Sequence, residues 1–551
     1  MEARKRKVNS PLRKRRPVCA RFGLMVAVAV VIVSGQMDAT GADASGKTHA
    51  DRRPNVVLIL ADDVGYSDVG CFGGEIRTPN IDRLAADGLR FTQFYTNSVC
   101  LTARASLLTG LYPRWRKTEQ SSRLLAPNMV TIGELLSRAG YQTALSGKWH
   151  MGHQAPHRPI DRGFDEYYGL LDGCCNYFDP ARRDPPFEGD SGAAGGGFRY
   201  WGHNDRRITE FPEDFYATDA ITDHAVDNIR RFSRSDQPFF LHVCYTAAHS
   251  PLHAKPEDIA RYKGRYASGW DEVRRQRFRR QIDLGLIQDT WELPPREPEV
   301  LSWEEDPNRE WQESLMEVYA AMVDSMDQGI GRILQALEDV GTADNTMVIF
   351  LSDNGGCAEQ AGGDDPTNIP GPVQHYVSCG AGWANAQNTP FRRYKEWVHE
   401  GGIATGLVVR WPGVVQPNTI TPQVGHVIDF MPTLVEIAGA EYPATFRGNA
   451  ITVVEGKTLV PIFHGQQREG HDALFWEWSG SRAVRQGSWK LAWDSYVERW
   501  ELYDLEADRT ECDDLARQQP DRVARMSQAW MAWAERTGAS ALPPSKPRLK
   551  P

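Results

Sequence analysis

The residues able to do chemistry lie in short stretches, most of which follow an apolar run. Asp62 and Asp63 are adjacent carboxylates directly after Val56-Val57-Leu58-Ile59-Leu60 and Ala61. They repel each other unless something positive lies between them, and a hard divalent cation with oxygen ligands is the economical answer. A solvated Asp-Asp loop is the alternative. Asp353 and Asn354 follow a second apolar run, 347–351, in the same manner and would complete an oxygen-rich shell. Cys100 and Arg104 are four residues apart, so a helix returns them to one face. The N-terminus of such a helix beside an arginine favours an anion. A buried cysteine ahead of an ordinary core helix accounts for the same residues. Lys148 and His150 are two apart and share one side of an extended segment. His249 sits just past the apolar run 238–245. Oxygen ligands, cations and histidines together suit a tetrahedral anion: cations hold its oxygens and a histidine gives a proton to a leaving alcohol.

These residues need elements to position them. The runs 54–60, 141–145, 238–245 and 347–351 read as strands buried in a parallel sheet. Each hands over to a candidate residue, and in open parallel sheets sites form at the carboxyl ends of the strands. Thr78-Pro79-Asn80-Ile81-Asp82 opens a helix. Ala103 to Leu108 form another, capped by Asn97 or Ser98 and ended near Gly110. Further helices span 132–139 and 317–339, and a strand covers 406–411. Residues 172–214 read as a long insertion and a candidate cleft wall, and 357–390 as a loop that lids or lines the cleft. Arg274, Arg275, Arg277, Arg279 and Arg280 read as a solvated helix face, with a surface that collects a polyanion as the sharper alternative. Short aromatic and β-branched runs over 472–505 predict an antiparallel meander. A helix from Pro520 to Arg536 places Val523, Met526, Trp530 and Trp533 on one side.

Composition narrows the class. The 551 residues allow a large domain and a smaller one. A net charge of −9 gives no support for a nucleic-acid binder. The 17 tryptophans fill a core more readily than they line a saccharide cleft. Residues 1–44 carry a basic region, the short apolar run 22–33 and the small-residue site Ala42-Asp43-Ala44, the order of a signal peptide. An uncleaved anchor is the alternative. No other long apolar stretch follows, so the expectation is an exported, periplasmic or extracellular protein without stable membrane insertion. The nine cysteines show no CxxC spacing.

The stretch from Cys100 to Gly110 resembles the signature of the type I, formylglycine-dependent sulfatases of the alkaline phosphatase superfamily: Cys-x-Pro-Ser-Arg and a short helix ending Leu-Thr-Gly. Thr102 stands where Pro or Ala is usual, and Ala103 where Ser is usual. The likeness runs over most of 54–505. It includes Asp62-Asp63-Val64-Gly65, the Thr78 helix, Gly147-Lys148-Trp149-His150, His249 before Pro251, Ser352-Asp353-Asn354-Gly355, and Lys395 ahead of His399-Glu400-Gly401-Gly402. The resemblance implies a large, mixed, mostly parallel sheet between helices over 52–445, and a smaller C-terminal antiparallel sheet plus helix over 446–540. It implies oxidation of Cys100 to formylglycine (3-oxoalanine) by the formylglycine-generating enzyme. One Ca²⁺ is then held by Asp62, Asp63, Asp353, Asn354 and the converted Cys100. By the same resemblance Lys148, Lys395 and His249 bind the sulfate, His249 protonates the leaving oxygen, His150 helps expel sulfate and Arg104 steadies the nucleophile. The implied activity is hydrolysis of a sulfate monoester, either an aryl sulfate or a sulfated saccharide. A phosphoester or phosphonate hydrolase on the same scaffold is one alternative. An unconverted sulfated-glycan-binding pseudoenzyme, motivated by Thr102 and Ala103, is another.

Overall fold

Apolar residues without a break build the central strand β1 (Asn55–Ala61), which is buried along its whole length. Its side chains alternate between two layers. Val57 and Ile59 pack towards helices α1 (Pro79–Ala86), α4 (Ala217–Phe232) and α7 (Arg309–Asp339), while Val56, Leu58 and Leu60 pack towards α2 (Cys100–Thr109), α3 (Ile132–Arg138) and α10 (Phe430–Ile437). The computed structural model describes residues 53–113, 125–185, 197–495 and 497–539. The expected signal segment 1–44 lies outside them, as does most of the Gly-rich run 192–197. Among the described residues no helix is long and apolar enough to cross a membrane, and none of the cysteines is in a disulfide.

The main sheet has eleven strands. Besides β1 these are β2 (Leu89–Tyr95), β3 (Gln142–Gly147), β4 (Glu166–Leu170), β5 (Trp201–His203), β6 (Arg206–Ile208), β7 (Phe239–Cys244), β8 (Thr346–Ser352), β9 (Ala404–Arg410), β10 (Thr419–Thr421) and β11 (Gly425–His426). Their order is β10-β2-β9-β8-β1-β7-β3-β4-β5-β6, with β11 beside β2. The run β8-β1-β7-β3-β4 is parallel, and β9 is antiparallel to both its neighbours. The four strands expected to carry candidate residues, β8, β1, β7 and β3, are therefore consecutive. A two-strand ribbon, β12 (Thr445–Phe446) and β13 (Asn449–Ala450), leads towards the C-terminal part. There β14 (Leu474–Trp478), β15 (Ser481–Gln486), β16 (Trp489–Asp494) and β17 (Arg499–Asp504) form the expected meander. Helix α12 (Pro520–Thr537) covers it with Met526, Trp530 and Trp533 buried. Leu474, Trp476 and Leu491 join the same core as Val57 and Ile59.

Several expectations need correction. Val99, not Asn97 or Ser98, takes the N-cap of α2, so Cys100 is its first helical residue. Asn97 instead donates from Nδ2 to the Thr102 carbonyl and to Ser106 Oγ, fastening the turn from the side. Strand β2 has no apolar run to announce it, because Arg90 and Gln93 interrupt the pattern. The loop 357–390 contains helix α8 (Gly380–Gln387), and α7 begins well before residue 317. The arginines of α6 (Gly269–Asp283) do not form one solvated face. Arg277 is fully buried and pairs with Asp68 at 2.6 Å and Glu75 at 2.7 Å. Arg274 is buried on the Pro294 carbonyl at 2.7 Å, and only Arg275 and Arg279 are exposed. A buried guanidinium is tolerated here because carboxylates and carbonyls meet it.

Candidate active site

The parallel strands end in one place, and their next residues meet there. β1 runs into Asp62 and Asp63, β3 into Lys148, β7 into the turn that carries His249, and β8 into Asp353 and Asn354. Helix α2 starts over the same end of the sheet and supplies Cys100 and Arg104. Lys395 arrives on a loop held by two backbone hydrogen bonds, Lys395 N to the Gly356 carbonyl at 3.1 Å and Glu396 N to the Ser98 carbonyl at 2.7 Å. All the residues singled out as candidates are therefore brought together, and every one is buried except His150, which is half-buried.

The cations pair with different carboxylates. Lys148 Nζ donates to Asp62 Oδ2 at 2.5 Å, and Lys395 Nζ to Asp63 Oδ2 at 2.9 Å. Arg104 directs Nε and Nη2 at Asp353 Oδ2, at 3.0 and 2.7 Å, and Nη1 at the Lys148 carbonyl at 3.0 Å. Asn354 Nδ2 donates to Asp63 Oδ1 at 2.6 Å. His249 Nε2 lies 3.6 Å from Asp63 Oδ2 and 3.3 Å from Lys395 Nζ. Cys100 Sγ lies 3.5 Å from His150 Nδ1.

Burial and charge set the protonation states. Burial, reinforced by Asp62, lifts Asp353 to about 6 against the pull of Arg104. Burial also raises Asp62, with Lys148 opposing it. For Asp63, burial is outweighed by Lys395 and His249, which hold its carboxyl well below the usual range. Burial pushes the Cys100 thiol up to about 11, despite Lys148 and Lys395. The unmodified thiol is therefore a poor nucleophile at neutral pH, since the thiolate is the reactive form. Burial and Lys395 bring His249 down to about 4, and burial with Lys148 keeps His150 well below its ordinary value.

The donor set suits a hard cation. Asp62 Oδ1 and Asn354 Oδ1 are buried and make no hydrogen bond. Such oxygens are costly unless something positive meets them. Ligand atoms of Asp62, Asp63 and His249, and of Asp62, Cys100 and Asp353, lie within 4.8 Å of one another. Carboxylate and amide oxygens of this kind could hold a divalent metal ion.

Supporting residues escaped the sequence reading. Thr96, directly after β2, donates from Oγ1 to the Asp353 carbonyl at 2.6 Å. Tyr177, inside the stretch read as an insertion, donates its hydroxyl to the His249 carbonyl at 2.9 Å. Only the partner's position identifies either one, so no local pattern could have flagged them. Gly173 comes close enough to the His150 ring that a Cβ there would lie 2.8 Å away. His253, four residues after His249, bonds the His375 carbonyl at 2.7 Å and the Tyr177 N–H at 3.3 Å, a structural placement.

A family model described as sulfatase matches residues 54–440. The chain belongs to the sulfatase family. A second model, N-sulphoglucosamine sulphohydrolase, C-terminal, matches residues 392–529. An uncharacterized sulfatase of Schizosaccharomyces pombe is 33% identical over 91% of this chain and 97% of its own length. The arylsulfatase of Klebsiella aerogenes is 34% identical over 77% of this chain and 95% of its own. The human N-acetylgalactosamine-6-sulfatase is 29% identical over 80% of this chain and 75% of its own. Among solved structures, Ps i-CgsB in complex with k-i-k-neocarrahexaose superposes with a TM-score of 0.64 at 27% identity, covering 88% of this chain and 93% of that one. This sulfatase is an enzyme that hydrolyses sulfate esters. That activity replaces the phosphoester alternative.

Proposed function

We propose that this sulfatase works through a formylglycine made from Cys100, with the candidate residues in the roles their contacts suggest. The observation that carries the proposal is the position of Cys100: the first residue of α2, among Lys148, Lys395 and Arg104, with a thiol too weakly acidic to attack by itself. Asp62, Asp63, Asp353, Asn354 and the converted Cys100 would hold Ca²⁺. When bound, that ion supplies a fixed positive charge for the nucleophile and the sulfate oxygens.

In this mechanism Lys148 and Lys395 hold sulfate oxygens and offset charge that builds in the transition state. Asp353 draws a proton from one hydroxyl of the hydrated aldehyde, which attacks sulfur in line. The S–O bond to the leaving alcohol breaks, and that oxygen takes a proton from the Lys395–His249 pair. His150 then accepts the proton of the second hydroxyl. The C–O bond to sulfate breaks, sulfate leaves and the aldehyde returns. Arg104 keeps Asp353 oriented throughout.

The substrate is a sulfated saccharide in this reading. The human relative's name, N-acetylgalactosamine-6-sulfatase, and the oligosaccharide complex of Ps i-CgsB both support it. The protein is exported by residues 1–44 and matured by the formylglycine-generating enzyme, with a catalytic part over 52–445 and a smaller part over 446–540. A panel of sulfated mono- and oligosaccharides beside small aryl sulfates tests the substrate class. Higher kcat/KM on a saccharide supports it, and turnover confined to aryl sulfates rejects it.

A further inference from the structure

Away from the catalytic cluster, three side chains converge where the edge hairpin meets α4. Glu166 opens β4, His203 ends β5 and His224 lies on α4. Their ligand atoms are within 4.8 Å of one another. His203 Nε2 is 2.8 Å from Glu166 Oε1, and His224 Nε2 is 3.9 Å from the same oxygen. Two imidazole nitrogens thus face one carboxylate oxygen.

The surroundings prepare these groups as ligands. His224 Nδ1 lies 2.7 Å from Ser146 Oγ, a contact that fixes the ring with Nε2 turned towards Glu166. An outer hydrogen bond of this type orients a metal-binding imidazole. Arg231 Nη1 anchors the other carboxylate oxygen at 3.0 Å, and Asn204 Nδ2 donates to Oε1 at 3.0 Å. The Tyr168 ring packs on both imidazoles, with centroids 5.8 and 5.4 Å away. His203 is exposed, which leaves a route from solvent.

We infer that Glu166, His203 and His224 form a second metal site, suited to a borderline dication such as Zn²⁺. Two imidazoles and one carboxylate are a zinc donor set, unlike the all-oxygen set suited to a hard cation at the catalytic cluster. A metal there would fasten the β5–β6 hairpin to α4 and to β4, the strand next to β3.

The test titrates the full chain with Zn²⁺ by calorimetry, in saturating Ca²⁺, and repeats it with His203→Ala and His224→Ala. One Zn²⁺ per chain is expected, bound about tenfold or more weakly in each variant. His203 is exposed, so His203→Ala should keep the wild-type circular dichroism. Co²⁺ gives an independent readout: visible ligand-field bands in the wild type that disappear in His203→Ala. Zn²⁺ binding of equal strength in the wild type and both variants would overturn the assignment, as would the absence of any stoichiometric binding.

Discussion

Lys395 points its ammonium at Nε2 of His249 from 3.3 Å, while the Nδ1 of that ring lies 2.8 Å from the Ser250 carbonyl. The Nδ1–H donates to this carbonyl, so Nε2 carries the lone pair and the proton at this corner sits on the lysine. The lysine and the histidine form one acid. Losing either should therefore hurt poor leaving groups far more than good ones. His249→Ala is expected to lower kcat/KM on an alkyl or sugar sulfate by about 10²–10⁴-fold. The loss on 4-nitrophenyl sulfate should be much smaller. Equal losses on both esters would remove the acid role.

The unpartnered oxygens Asp62 Oδ1 and Asn354 Oδ1 predict a metal requirement. Chelation should lower both the unfolding temperature and the turnover, and added Ca²⁺ should restore them. Asn354→Ala should weaken Ca²⁺ binding by about tenfold or more in calorimetry. Unchanged affinity in that variant would take Asn354 out of the ligand shell.

The C-terminal meander braces the loop that bears Lys395. Lys490 on β16 is fully buried between Glu400 at 2.9 Å and Glu511 at 2.8 Å, and Arg509 also reaches Glu400 at 2.8 Å. Lys490→Met leaves buried carboxylates short of a cation, which should cost about 3–5 kcal/mol of stability. Denaturant unfolding measures it, and a loss below about 1 kcal/mol would show that the surroundings compensate.

Glu477 on β14 gives a pH signature. Burial raises its carboxyl to about 7, and its Oε2 makes no hydrogen bond. The folded state thus binds this proton more tightly than the unfolded chain. The stabilisation is complete below the ordinary glutamate range and is lost as pH rises through about 7. Glu477→Gln keeps the neutral form, so it should be near neutral at pH 5 and stabilising by about 1–3 kcal/mol at pH 8. A pH-independent difference would contradict the assignment.

The convergence of the site was legible because buried parallel strands announce themselves as unbroken apolar runs. Asp62, Lys148, His249 and Asp353 each follow such a run, and the sheet rule brings their ends together. The spacing of Cys100 and Arg104 likewise carried over into one helix. What stayed hidden depends on partners distant in the chain. Arg277 reads as a surface residue until Asp68 and Glu75 are placed beside it. Asn97 looks like the cap of α2, but its amide is spent on Thr102 and Ser106 and Val99 takes that place. Strand β2, although buried, carries polar residues, and the support of Asp353 by Thr96 was lost with it.

Cys100 is expected to be converted even though Thr102 and Ala103 follow it. Mass spectrometry of the tryptic peptide spanning residues 91–104, from protein made in its native host, tests this most directly. The expected peptide is lighter than the cysteine form by the exchange of a thiol-bearing carbon for an aldehyde, and it reacts with a hydrazide probe. An unmodified Cys100 in protein that turns over sulfate esters would contradict it.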